Sequence, residues 1–100
     1  MSVQIDMPKK TVAEFCRRNR ITRLSLFGSA IRDDFGPDSD IDVLVEFERD
    51  ARVGFITLAG LEIELTEILG RNAELHTVKG LHPSFRDEVL RLAEVQYEQA

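Results

Sequence analysis

The sequence predicts an α/β (α+β) chain, a small mixed β-sheet covered by helices, and three observations carry that prediction. Two short segments, Ile21 to Phe27 and Ile41 to Phe47, alternate apolar with polar residues as half-buried strands do. A third, Leu58, Leu61, Leu65, Ile68 and Leu69, repeats apolar residues at helical spacing. With 100 residues, 43% of them apolar, the chain fits one domain spanning residues 1–100 with a single core.

In chain order, Pro8 to Asn19 reads as a helix with Val12, Phe15 and Cys16 on one face, and Thr11 to Glu14 offers a capping box. Pro8 suits a first helical position equally well, and Arg17, Arg18 and Arg20 sit where the negative end of the helix dipole favours cations. The strand from Ile21 breaks at Gly28-Ser29, a turn. Phe35-Gly36-Pro37-Asp38 marks a loop before the second strand. A long helix follows Gly54 and stops at Gly70, where a left-handed residue is needed. Ala73 to Val78 is placed as a third strand. His82-Pro83-Ser84 opens a last helix whose Phe85, Val89, Leu92, Ala93 and Tyr97 are expected to face inward.

Charge and composition exclude several classes. Cys16 is the one cysteine, so a disulfide within the chain is impossible, and a free thiol suits a reducing compartment. No apolar run approaches the roughly 20 residues of a membrane span, and the first residues lack the layout of an export signal, so a cytoplasmic protein is expected. Lys9, Lys10, Arg17, Arg18, Arg20 and Arg23 could touch phosphates, but they lack interleaved aromatics and the pI is about 5.0, which argues against nucleic acid. The acids crowd instead between Asp33 and Asp50, as either a solvated loop or a metal site.

Order within that acidic run favours the metal site. On a strand, Asp40 and Asp42 leave the same face with their Cα atoms roughly 6.6 Å apart. That pair can bracket a hard cation such as Mg²⁺, which commonly binds through one or two carboxylates plus substrate phosphates. A calcium loop starting at Asp38 fails, because Val43 stands where its sharp turn needs Gly and Arg49 where it needs Glu. Upstream, the Gly28-Ser29 turn can bring amides and a hydroxyl to phosphate oxygens, with Arg32 as a nearby cation, and no Lys follows as a Walker-type loop requires. His76, two residues beyond Glu74 and on its face if the segment is a strand, is expected as a solvated surface imidazole, with a role supporting the acids or contacting phosphate as the alternative; His82 is expected as a helix-entry residue and Cys16 as core packing.

Taken together, Gly28-Ser29-Ala30-Ile31-Arg32 and Asp38-Ser39-Asp40-Ile41-Asp42-Val43-Leu44-Val45 resemble the signature of polymerase-beta-type nucleotidyltransferases in their minimal form (MNT). The similarity continues through Glu64-Leu65, Leu69-Gly70-Arg71 and Phe85-Arg86-Asp87-Glu88-Val89, and so covers nearly the whole chain.

The resemblance implies a polymerase-beta-like fold and two Mg²⁺ ions shared by Asp40 and Asp42, with ATP as substrate. It implies nucleotide contacts from Gly28, Ser29 and Arg32, and Ser39 as a residue orienting the acids. Glu74 is the candidate third carboxylate, in Ala73-Glu74-Leu75 where the family usually has Val-Asp-Leu. The implied reaction moves AMP from ATP to a hydroxyl, and the implied acceptor is a tyrosine of a small helical HEPN-type toxin, which makes the chain an antitoxin. Because Glu replaces the usual Asp, a catalytically weakened protein acting as a binding antitoxin or interaction module stands as the alternative. Oligomeric state is open.

Overall fold

The computed structural model describes residues 7–28 and 40–99. The elements run α1 (Lys9–Arg18), β1 (Ile21–Phe27), β2 (Ile41–Phe47), α2 (Phe55–Leu69), β3 (Ala73–His76), α3 (Pro83–Leu92) and β4 (Glu94–Glu98). The sheet has the order β3-β2-β1-β4. It is mixed as expected: β1 runs antiparallel to β2 and β4, whereas β2 and β3 are parallel.

Strand alternation decides which face is covered. Ile41, Val43 and Val45 are fully buried, joined by Leu24 and Leu26 of β1 and by Ala73 and Leu75 of β3. Val12, Phe15 and Cys16 of α1 and Leu61 and Leu65 of α2 complete this core. Each such Val, Leu, Ile or Phe side chain contributes about 1.5–3 kcal/mol on leaving water. The segment 29–39 lies outside the described residues, and with it the expected Phe35-Gly36-Pro37-Asp38 loop.

Helix ends follow local chemistry. α2 stops at Gly70, which takes φ 72° and donates its N–H to the Thr66 carbonyl, as its sequence position foretells. At α3, His82 is the entry residue, its Nδ1 accepting the Ser84 N–H at 3.1 Å, with Pro83 in the first turn. For α1, the capping box expected from Thr11 and Glu14 is corrected. Pro8 caps the helix without a side-chain bond, and both residues lie inside it, because Pro8 already frees the chain from an unpaired N–H there.

Two further expectations are corrected. The third strand ends at His76, not Val78. The last helix ends at Leu92: Ala93 turns extended, and Glu94 to Glu98 form β4 against β1, with Tyr97 opposite Leu24. Phe85 and Leu92, expected inside, are exposed, and α3 buries no side chain. The physical reason is the second edge of β1. Its backbone groups need partners, and the Glu94-Val95-Gln96-Tyr97-Glu98 alternation supplies a strand for them.

Side chains seal the sheet's outer edge and stitch its strands. Thr66 Oγ1 accepts the Ala73 N–H at 3.0 Å and Glu62 Oε2 accepts the Leu75 N–H at 2.8 Å, so α2 satisfies the open side of β3. Arg23 reaches Glu46 on β2 and Glu98 on β4, Arg20 pairs with Glu48 and Asp50, and Arg18 pairs with Glu64. Three cations of the basic N-terminal stretch are thereby matched within the chain. Among the described residues, no helix is long and apolar enough to cross a membrane.

Candidate active site

Two rows of side chains cross the sheet face opposite the core. Phe27, Asp42 and Glu74 are successive register partners on β1, β2 and β3, and Ser25, Leu44 and His76 form the next row. Ser25 and Leu44 are buried, so a closed floor adjoins the polar row. Asp40 stands just before β2, beside the point where the Ile41 N–H donates to the Asn72 carbonyl at 2.9 Å.

The three carboxylates meet. Glu74 is held above the ordinary glutamate pKa, first by a side-chain hydrogen bond shared with Asp40, then by burial and by the charges of Asp42 and Asp40, with His76 opposing. Like charges this close disfavour the ionised form of Glu74. The extra methylene of Glu74, relative to aspartate, does not carry its carboxylate away from the other two.

Gly28 closes the site from β1. It has φ 68°, and a Cβ placed on it would collide with the Asp42 carboxylate at Oδ2. Glycine is favoured here twice over, by a backbone conformation that side chains rarely adopt and by the close approach of the acid. Ser29, Arg32 and Ser39, the other expected nucleotide contacts, lie outside the described residues.

His76 is the residue whose expected position is corrected. It is not a free surface imidazole: its side chain is one-third exposed, and Nε2 lies 3.5 Å from Asp42 Oδ1 and 3.9 Å from Glu74 Oε1. At 3.5 Å this is a charge contact and not a formed hydrogen bond, and Nε2 is buried without a hydrogen-bond partner. The attraction of Asp42 is the largest influence raising the imidazole pKa, with burial opposing it and the charges of Glu74 and Glu62 adding to it. The Phe27 ring meets it edge-on at 5.3 Å. The period-two pattern put His76 on the face of Glu74, and the parallel pairing to β2 set it beside the acids.

Asp42, Glu74 and His76 each present a donor atom within 4.8 Å of the others. Clustered carboxylate oxygens and an unsatisfied imidazole nitrogen fit a divalent cation, whose charge would relieve the repulsion that raises the Glu74 pKa. Cys16 takes no part: it is buried on the inner side of α1, and desolvation pushes its thiol up to about 12.

Comparison with known proteins identifies the family of the chain. A protein of Methanocaldococcus jannaschii, named for protein adenylyltransferase activity, is 32% identical over 91 residues, 91% of this chain and 96% of its own length. A solved structure described as a minimal nucleotidyltransferase superposes with TM-score 0.70 at 34% identity, covering 85% of each chain. A complex of an AMP-modified Shewanella oneidensis HEPN toxin with its MNT antitoxin shares the fold, with TM-score 0.65 at 17% identity over 91% of this chain and 70% of the other. The nucleotidyltransferase domain model matches residues 8–95, which include the Gly28 bend, Asp40, Asp42 and Glu74, and the chain belongs to that family.

Proposed function

We propose that this protein transfers AMP from ATP to a tyrosine hydroxyl of a HEPN-type toxin and so acts as its antitoxin. The observation that carries the reading is the convergence of Asp40, Asp42 and Glu74 beside the Gly28 bend. The names of the relatives support it: one for protein adenylyltransferase activity, the other for an MNT antitoxin bound to an AMP-modified HEPN toxin.

In this reading Asp40, Asp42 and Glu74 would hold two Mg²⁺ ions. When bound, the ions supply positive charge that neutralises the triphosphate and lowers the pKa of the attacking hydroxyl. The bend at Gly28 and Ser29, with Arg32, receives the phosphates, while Ser39 orients the flanking acids. The tyrosine oxygen bonds to the α-phosphorus as the bond from that phosphorus to the bridging oxygen breaks and pyrophosphate leaves. Glu74, in its ionised form, would take the hydroxyl proton on its carboxylate. Gly28 keeps backbone close to Asp42 with no side chain between them.

A second reading, a binding antitoxin with little turnover, is favoured by α2, whose Phe55 and Ile56 are 92% and 90% exposed at its first turn. One experiment separates the two. The protein is mixed with Mg²⁺, α-labelled ATP and a HEPN-type toxin encoded next to it. Label on a toxin tyrosine, abolished by Asp42→Asn, supports transfer. A stable complex without label supports binding alone.

A further inference from the structure

The carboxylates are not the whole donor set. His76 Nε2 is buried, lacks a hydrogen-bond partner and faces Asp42 Oδ1 at 3.5 Å and Glu74 Oε1 at 3.9 Å. Donors that share one ion at about 2.0–2.2 Å stand roughly 3–4 Å from one another. The observed spacing therefore needs little adjustment. Register holds the three together, because Glu74 and His76 are alternate residues of β3 and Asp42 is the β2 partner of Glu74. Phe27, edge-on to the imidazole, restrains the ring from the β1 side.

The nitrogen changes which ion the site prefers. Mg²⁺ seeks oxygen ligands in near-octahedral order and gives up its waters reluctantly. Imidazole suits later first-row ions, whose affinity for mixed nitrogen and oxygen sites is greater. We infer that His76 is a metal ligand which, with Asp42 and Glu74, makes a mixed imidazole–carboxylate centre selective for ions such as Co²⁺ or Zn²⁺ over Mg²⁺. The inference rests on reading the carboxylate cluster as a divalent-metal site.

A bland role for His76, as a counter-charge to two acids in the metal-free chain, predicts no nitrogen–metal bond. Co²⁺ distinguishes the two, because protons of a ligating imidazole acquire large hyperfine shifts in the NMR spectrum. The chain has two histidines, so the signal can be assigned. Titrating the full chain with Co²⁺ alone is expected to give hyperfine-shifted imidazole resonances that persist in His82→Ala and vanish in His76→Gln. The same His76→Gln change should weaken Co²⁺ binding by roughly tenfold or more while altering Mg²⁺ binding less than about twofold, both read by calorimetry.

Should His76→Gln fail to fold, histidine-selective ¹⁵N labelling of the unaltered chain decides the matter by showing which imidazole shifts. Bound Co²⁺ without a shifted imidazole, equal loss of Co²⁺ and Mg²⁺ affinity in His76→Gln, or no Co²⁺ binding at all would each overturn the assignment. AMP transfer is scored separately. A shifted His76 resonance in a protein that transfers nothing supports the ligand while removing the transfer reading, and transfer without that resonance removes only the ligand.

Discussion

Asp42 and Glu74 are direct register partners across the parallel β2–β3 pair, so two carboxylates 32 positions apart in sequence project from adjacent strands on one face. Parallel pairing needs a crossover, which α2 provides while also covering the opposite, apolar face. The helix that builds the core therefore also brings the third acid to the first two.

Gly28→Ala tests the approach of backbone to acid. An alanine at φ 68° costs about 1–2 kcal/mol in conformation alone. Its Cβ would also displace the Asp42 carboxylate. Denaturant unfolding should show at least that loss, and calorimetry should show weaker divalent-ion binding. Unchanged metal affinity would mean the carboxylate can move aside without consequence.

The metal-free chain should lose stability as pH rises. Glu74 has a folded pKa raised above its ordinary 4.5, so the stability it contributes is complete below 4.5 and fades as pH climbs through the folded value. His76, raised above 6.5, acts with the same sign in a higher window: its contribution is complete below 6.5 and fades above. Melting temperatures recorded in chelator across this range should fall with pH. Glu74→Gln should flatten the lower part of the decline and stabilise the neutral-pH chain modestly, by under about 1 kcal/mol given the partial exposure of this carboxylate. Destabilisation by that change at neutral pH would contradict the crowding of acids.

Glu74→Gln carries a functional expectation as well. Nucleotide binding should survive better than transfer, because the lost carboxylate serves the acceptor side in the proposed reaction. Equilibrium binding of a non-hydrolysable ATP analogue beside the labelled-transfer assay measures both. Equal losses would refute that division.

Glu62→Ala addresses how β3 is held. Losing the 2.8 Å bond from the Leu75 N–H leaves that donor unpaired at a nearly buried position, at a cost of about 1–3 kcal/mol. Hydrogen exchange at the Leu75 amide should quicken, and metal affinity should drop because Glu74 and His76 flank that residue. Unaltered exchange would show that this bond does not protect the Leu75 amide.

Cys16 should be inert in the folded chain. Its thiol, pushed up to about 12 by burial, offers almost no thiolate at neutral pH. Alkylation followed by mass spectrometry should be slow in buffer and rapid in denaturant. Fast labelling of the folded protein would place the thiol nearer solvent than the core packing around it allows.

The sequence by itself determined the strands around Leu24 and Val43, the long α2 with its Gly70 stop, the mixed sheet under helices, and Asp42 as an acid on the second strand, whereas Asp40 stands just before that strand. These follow from local periodicity and backbone preference, which a short window contains. Tertiary structure alone decided three matters. Glu94 to Glu98 became a strand because β1 had a second edge to fill, although Val89, Leu92, Ala93 and Tyr97 also fit a helical spacing. Gly28 came to lie against the Asp42 carboxylate because antiparallel pairing brings Phe27 opposite that acid. His76 moved from surface to site because the β2–β3 register sets it against Leu44, one step from Asp42. In each case the deciding contact joins residues far apart in the chain, and alternation along a single strand carries no record of which neighbour lies across from it.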